Sequence, residues 1–236
     1  LRKFLMDNNI FLINKPLKWT SFDVVKKIRF LLKKKLSVSK LKVGHAGTLD
    51  PLATGLLILC TGKMTKKIPV IQQLNKTYLA TIKLGYYTES FDREKDEIQV
   101  KDFNFLTFND IYKLEKVFVG NLDQVPPRFS AIKVNGKRAY KKARNNEEFV
   151  ISPRPVFLHS FKLISINFPF IIVKVVCSKG TYIRSLANDI GKYLKCGAYL
   201  FNLKRTAIGK YNLDSALNIN YFEMTLDKNK ESNLLI

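Results

Sequence analysis

The sequence predicts an α+β fold built on a largely antiparallel sheet. Segments of strand character and segments of helical period follow one another without the regular alternation that a parallel βαβ fold requires. Glycines and prolines punctuate the junctions between them. With 236 residues, 46% of them hydrophobic and 12% aromatic, the chain carries enough apolar material for a core and too much for wholesale disorder. One or two domains fit that length.

The elements follow in order. Ile10 to Ile13 is a short apolar run closed by Asn14-Lys15-Pro16, where proline ends a strand. Thr20 and Ser21 offer an N-cap, and Phe22, Val25, Ile28, Leu31 and Leu32 repeat at helical spacing up to Lys33-Lys34-Lys35, basic residues that suit a helix C-terminus. Residues 43–62 place four glycines around a loop and the continuous apolar run Leu56 to Cys60, a buried strand. From Lys76 to Leu84 the pattern alternates, with Tyr78, Ala80, Ile82 and Leu84 on one face.

Residues 85–104 read as a charged loop, and Asn109 then caps a helix whose buried side carries Ile111, Leu114, Val117 and Phe118 before Gly120 stops it. After Pro126-Pro127 come a strand from Phe129 to Val134, a basic segment from Lys137 to Arg144, and strands from Val156 to Ile166 and Phe170 to Cys177. A helix with Ile183, Leu186, Ala187 and Ile190 follows, and Ala198 to Leu203 is the last apolar segment. No internal repeat or low-complexity linker divides the chain.

Charge points to the partner. The 41 Lys and Arg residues outweigh 19 Asp and Glu for a net charge of +22, spread from Lys3 to Lys230 rather than gathered in a tail. A folded surface of that sign attracts polyanions and speeds encounter with a phosphate backbone. Nucleic acid is the leading partner class, with compositional drift as the alternative. Cys60, Cys177 and Cys196 form no C-x-x-C pair, and His45 and His159 stand far from each other, which argues against a zinc site and a disulfide framework. Apolar runs fall short of the roughly 20 residues of a membrane span and no signal peptide is evident, so a cytoplasmic protein is expected.

Three places could carry chemistry. Asp50 lies in a glycine-bounded loop directly before Pro51; a carboxylate there can serve as nucleophile or general base if a cation keeps it ionised, or can simply make an Asx turn. The run from Gly55 to Lys63 is no phosphate loop: six residues separate Gly55 from Gly62, and Met64 stands where Ser or Thr would hold magnesium. Lys63, Lys66 and Lys67 suit nucleic-acid phosphates or a solvated face. Arg184, near the start of the helix after Gly180, can pair a carboxylate and depress its pKa, or can sit in water.

Six motifs in order then resemble one family. They are Lys15-Pro16-Leu17-Lys18-Trp19-Thr20-Ser21-Phe22-Asp23-Val24-Val25, Gly44-His45-Ala46-Gly47-Thr48-Leu49-Asp50-Pro51-Leu52-Ala53-Thr54-Gly55-Leu56-Leu57, Lys76-Thr77-Tyr78, Gln124-Val125-Pro126-Pro127 with Phe129-Ser130-Ala131, Gly136-Lys137-Arg138-Ala139-Tyr140, and Gly180-Thr181-Tyr182-Ile183-Arg184-Ser185-Leu186. From Asn14 to Gly209 the chain is similar to the TruB family of tRNA pseudouridine synthases. Asn14, Lys18 and Ala46 stand where that family commonly has Asp, Gly and Thr.

The resemblance implies the pseudouridine synthase fold, a sheet with flanking helices and a central active-site cleft, over residues 1–210. It places an RNA-binding insertion at about 120–148 and leaves 211–236 as a short tail with no PUA-type domain. It implies isomerisation of the T-loop uridine at tRNA position 55, with Asp50 as the catalytic aspartate. Tyr78, Tyr182, Arg184, Leu203, His45 and Lys15 become substrate-site residues: Tyr78 stacks on the uracil, Arg184 pairs Asp50, Tyr182 and Leu203 line the uracil pocket, His45 fills space left in the T-loop, and Lys15 supports the site. The resemblance further implies no cofactor and no metal, the T-loop and T-stem of tRNA as partner, no membrane, no guide RNA, and a monomer. A tRNA-binding or tRNA-folding module without chemistry is the alternative.

Overall fold

The computed structural model describes residues 9–228. The main strands are β1 (Ile10–Lys15), β2 (Val43–His45), β3 (Ala53–Thr61), β4 (Lys76–Leu84), β5 (Gly120–Gln124), β6 (Arg154–Asn167), β7 (Phe170–Cys177) and β8 (Ala198–Ile208). The helices are α1 (Ser21–Leu36), α2 (Ile68–Gln73), α3 (Phe108–Val117), α4 (Ala139–Arg144), α5 (Ile183–Tyr193) and α6 (Ile219–Lys228). The chain divides into two units, residues 1–76 with 204–236 and residues 77–203, and β8 runs from one into the other.

In the first unit the strand order is β1-β3-β8, with β2 added to β3 and the pair Tyr211–Asn212 added to β8. β1 runs antiparallel to β3 with Ile13 opposite Leu57 and Lys15 opposite Gly55. Residues of β3 from Leu56 to Cys60 are fully buried, so both faces of the strand are covered. One face meets α1 and α6 through Val24, Ile28, Leu32 and Phe222; the other meets Ile71 and Ile208.

α1 begins at a reciprocal cap in which the Thr20 hydroxyl accepts from the Asp23 N–H and the Asp23 carboxylate accepts from the Thr20 N–H. Its buried stripe is Val24, Val25, Ile28, Leu31, Leu32 and Leu36. Phe22, expected on that stripe, is 53% exposed because it lies about 100° round the helix from Ser21, outside the covered arc.

In the second unit the order is β8-β4-β7-β6-β5. β4 alternates buried and half-buried along its whole length, as its period of two requires. β6 pairs antiparallel with β7 and with β5. α3 packs on β6, where Glu115 accepts from the Leu163 N–H at 2.6 Å. α5 buries Leu186, Ala187 and Ile190, as the spacing predicts.

Several expectations needed correction. α3 is capped by Thr107 with Asp110, two residues earlier than the expected cap at Asn109, and Val117 is 40% exposed at the rim of the stripe. The strand expected from Phe129 to Val134 shrinks to Lys133–Val134, paired with Lys137–Arg138. Asn135 and Gly136 between them both have positive φ, 51° and 80°, the geometry of a two-residue hairpin. Upstream, the Ser130 and Ile132 carbonyls accept from Tyr140 and Ala139 N–H groups at the start of α4, so no ladder can form there. Helices α2 and α6 and the 3-10 turn Gly62–Lys67 were not anticipated. Of the stretch expected as a tail, α6 packs Phe222 into the first core, and residues 229–236 lie outside the described residues. No helix among the described residues is long and apolar enough to cross a membrane.

Candidate active site

The expected site residues fall in both units: Lys15, His45 and Asp50 in the first, and Tyr78, Tyr182, Arg184 and Leu203 in the second.

In the first unit, Asp50 sits half-buried in the loop between β2 and β3. The backbone around it is held carbonyl by carbonyl. Arg205 on β8 donates from its Nη2 to the Gly47 carbonyl at 3.0 Å and from Nη1 to the Thr48 carbonyl at 3.3 Å. Its Nε donates to Leu56 on β3 at 2.8 Å. The Ser21 hydroxyl donates to the Leu49 carbonyl at 3.0 Å and accepts from the Leu49 N–H at 2.8 Å. The Asp50 carbonyl accepts from Ala53 at 3.0 Å and the Pro51 carbonyl from the Lys18 N–H at 2.8 Å.

Lys15, at the end of β1, is fully buried. Its Nζ donates to the carbonyls of Pro16 at 2.9 Å, Trp19 at 2.6 Å and Pro51 at 3.2 Å. Burial pushes its ammonium down to about 8, against the opposing pull of Asp50. The ammonium ties the turn after β1 to the residue following Asp50. Lys18, which stands where a glycine is common, has a φ of 66°, so its position needs the left-handed backbone that glycine adopts most easily. His45 is held below its ordinary value by burial and by Arg205, and its Nδ1 is buried without a hydrogen-bond partner.

In the second unit Tyr78 is buried on β4. Tyr182 precedes α5, and its N–H donates to Gln124 Oε1 on β5 at 2.7 Å. Arg184 is 4% exposed, which excludes a surface arginine solvated by water. It donates to the carbonyls of Ser90 at 3.4 Å and Phe129 at 3.1 Å, and its Nε lies 3.6 Å from Oδ2 of Asp92. Leu203 is half-buried on β8.

Three residues escaped the sequence reading. Asp92, 6% exposed, lies in a stretch expected to be a charged loop; its neighbour Phe91 has a φ of 60°, and nothing in the local sequence sets this carboxylate apart from Glu89 or Glu94. Ser21 reads in sequence as a cap, yet Thr20 caps α1 and leaves the Ser21 hydroxyl for Leu49. Arg205 occupies an alternating stretch of β8 in which a buried cation has no periodic signature. Among the described residues no cluster of His, Cys, Asp or Glu is arranged to hold a metal ion. The exposed Lys63, Lys66 and Lys67 lie on the 3-10 turn after β3.

Comparison with known proteins fits this arrangement. Residues 33–183 match the TruB family pseudouridylate synthase (N terminal domain), and residues 184–235 match the tRNA pseudouridylate synthase B C-terminal domain. The tRNA pseudouridine synthase B of Parabacteroides distasonis is 49% identical over 93% of this chain and 94% of its own. The protein of the same name from Phocaeicola vulgatus is 46% identical over 94% of each. Among solved structures, a chain of the archaeal box H/ACA sRNP Nop10-Cbf5 complex superposes with a TM-score of 0.70 at 22% identity, over 97% of this chain and 57% of that one. This chain thus spans little more than half of that neighbour, which supports the pseudouridine synthase fold. With motifs, fold and relatives in agreement, the chain belongs to the TruB family of pseudouridine synthases.

Proposed function

We propose that the protein is a stand-alone tRNA pseudouridine synthase that isomerises the T-loop uridine at position 55. The observation that carries this reading is Asp50, set in a loop where the carbonyls of Gly47, Thr48, Leu49 and Pro51 accept from donors distant in sequence. Such anchoring is what a reacting group needs. The relatives named tRNA pseudouridine synthase B supply the substrate class.

A uridine stacked in a folded loop hides its glycosidic bond and must be turned out of the stack, at a cost of a few kcal/mol. The basic surface offsets that cost through phosphate contacts. Exposed Lys133, Lys137, Arg138, Lys141 and Arg144 support a role for residues 120–148 as the RNA-binding insertion that closes over the loop. Tyr78 offers an aromatic face for the extruded base, with Tyr182 and Leu203 lining its pocket. His45 fills space left in the T-loop, and Arg184, which faces Asp92 within its own unit, belongs to the substrate site.

In the reaction the N1–C1′ bond of uridine breaks with the help of the Asp50 carboxylate. The uracil rotates, C5 bonds to C1′, the hydrogen at C5 leaves as a proton and N1 takes one up. Atoms and charge balance without an oxidant or reductant. We propose further that the enzyme acts in the cytoplasm, as a monomer and without a guide RNA.

The test is pseudouridine formation in an unmodified tRNA transcript, mapped by carbodiimide-dependent primer-extension stops. Wild type should give a stop at the T-loop uridine, and Asp50→Asn should give none while binding the transcript within a few-fold. Tight, salt-sensitive binding by wild type with no stop at any uridine would favour a tRNA-binding module instead.

A further inference from the structure

A backbone segment left to itself gives up roughly 1 to 2 kcal/mol per residue in conformational entropy when it is fixed. Rigidity around Asp50 therefore needs a source. Glycine at 47, with φ of 114°, makes the stretch intrinsically freer still.

Two buried side chains restrain the backbone before Asp50, beside the contribution of Lys15 after it. The hydroxyl of Ser21, 2% exposed, is both donor to and acceptor from Leu49, the residue directly before Asp50. Thr20 already caps α1, so the helix does not require it. Arg205, 1% exposed, uses the planar fork of its guanidinium to join the entry of the loop at Gly47 and Thr48 to the strand that leaves it at Leu56. Its backbone seals the same junction: a Cβ at Gly55 would stand 2.3 Å from the Arg205 carbonyl oxygen. A lysine ammonium carries its three donors on one nitrogen and lacks the spread of the guanidinium fork.

We infer that Ser21 and Arg205 are positioning residues for the reaction, holding the backbone on either side of Asp50 in one conformation. The inference rests on the proposed role of Asp50. It differs from that of a stability element in one consequence: the restraint acts on the rate of the chemical step for tRNA already bound. Displacement of a reacting group by about 1 Å costs about 100-fold in rate.

Ser21→Ala and Arg205→Lys would be measured beside wild type and Asp50→Asn under single-turnover conditions, with saturating enzyme and tRNA transcript, together with tRNA affinity and binding stoichiometry. Expected are losses in the rate per bound tRNA of about 10-fold for Ser21→Ala and about 100-fold for Arg205→Lys, with affinity unchanged within about threefold. A purely structural role lowers the binding-competent fraction and leaves the rate per bound tRNA at the wild-type value. If both variants, or Ser21→Ala alone should Arg205→Lys not fold, convert bound tRNA at the wild-type rate while Asp50→Asn does not, the inference is overturned. If Asp50→Asn also converts at the wild-type rate, the reading of Asp50 is what fails.

Discussion

Two buried arginines, one in each unit, show how the same side chain can do different work. Arg205 spends its three hydrogen bonds on the carbonyls of Gly47, Thr48 and Leu56. Arg184 also holds two carbonyls, Ser90 and Phe129, but it faces the carboxylate of Asp92 as well. A guanidinium among neutral acceptors acts as a geometric clamp, whereas one that faces a carboxylate takes part in a charge network whose members depend on one another.

The largest test of that contrast is removal of the charged group. Arg184→Ala leaves Asp92 buried without this cation, and denaturant unfolding should show a loss of about 3 to 5 kcal/mol along with loss of turnover. Adding Asp92→Asn should recover part of the stability and none of the activity. An additive double mutant would break the network reading, since coupled neighbours show interaction energies of about 0.5 to 3 kcal/mol.

Arg205→Ala comes next, at about 3 kcal/mol, since each buried carbonyl stranded without a donor costs about 1 to 3 kcal/mol and solvent entering the vacated space recovers some of it. No acidic partner can be removed to relieve it. A carboxylate substitution elsewhere in the first unit that restored stability would show that Arg205 belongs to a charge network after all.

A pH series separates the clamp from its neighbour Lys15. Its folded value of about 8 lies below the ordinary 10.5, so below pH 8 both states carry the proton and the burial penalty is present in full. Between 8 and 10.5 the unfolded chain binds more protons, and the stability difference between wild type and Lys15→Met should shift in favour of wild type as pH rises. Turnover should move the opposite way above pH 8, because a neutral amine has two N–H donors for the three carbonyls of Pro16, Trp19 and Pro51. Stability and turnover that rise together across this range would contradict the assignment.

The smallest effects concern the caps. Thr20→Ala in one unit and Thr107→Ala in the other each remove a reciprocal cap and should cost about 1 kcal/mol. Thr20→Ala should also slow turnover modestly, through its neighbour Ser21, while Thr107→Ala should not.

What the sequence made legible follows from the range of each interaction. Period-two and period-3.6 patterns located β4, β7, α1 and α5, because a single face of each is buried by contacts that repeat along the element. Asp50 stood out through local punctuation by glycine and proline. Asp92, Ser21 and Arg205 did not, because their roles are set by partners far away in sequence: Arg184, Leu49 and Gly47 respectively. Local signals outside those periods stand at Asn135-Gly136, the pair of a two-residue hairpin, and at Thr107 with Asp110, the reciprocal cap of α3. Burial of Arg184 beside Asp92 separates it from the exposed arginines, a distinction that composition cannot make.

The proposed chemistry stands on the Asp50 carboxylate. Joining uracil to ribose through C5 expels the hydrogen at C5, so tritium release from tRNA containing [5-³H]uridine reports the reaction itself. Wild type should release one tritium per tRNA from the T-loop uridine, and Asp50→Asn should bind the same tRNA and release none. Release by Asp50→Asn at the wild-type rate would contradict the account.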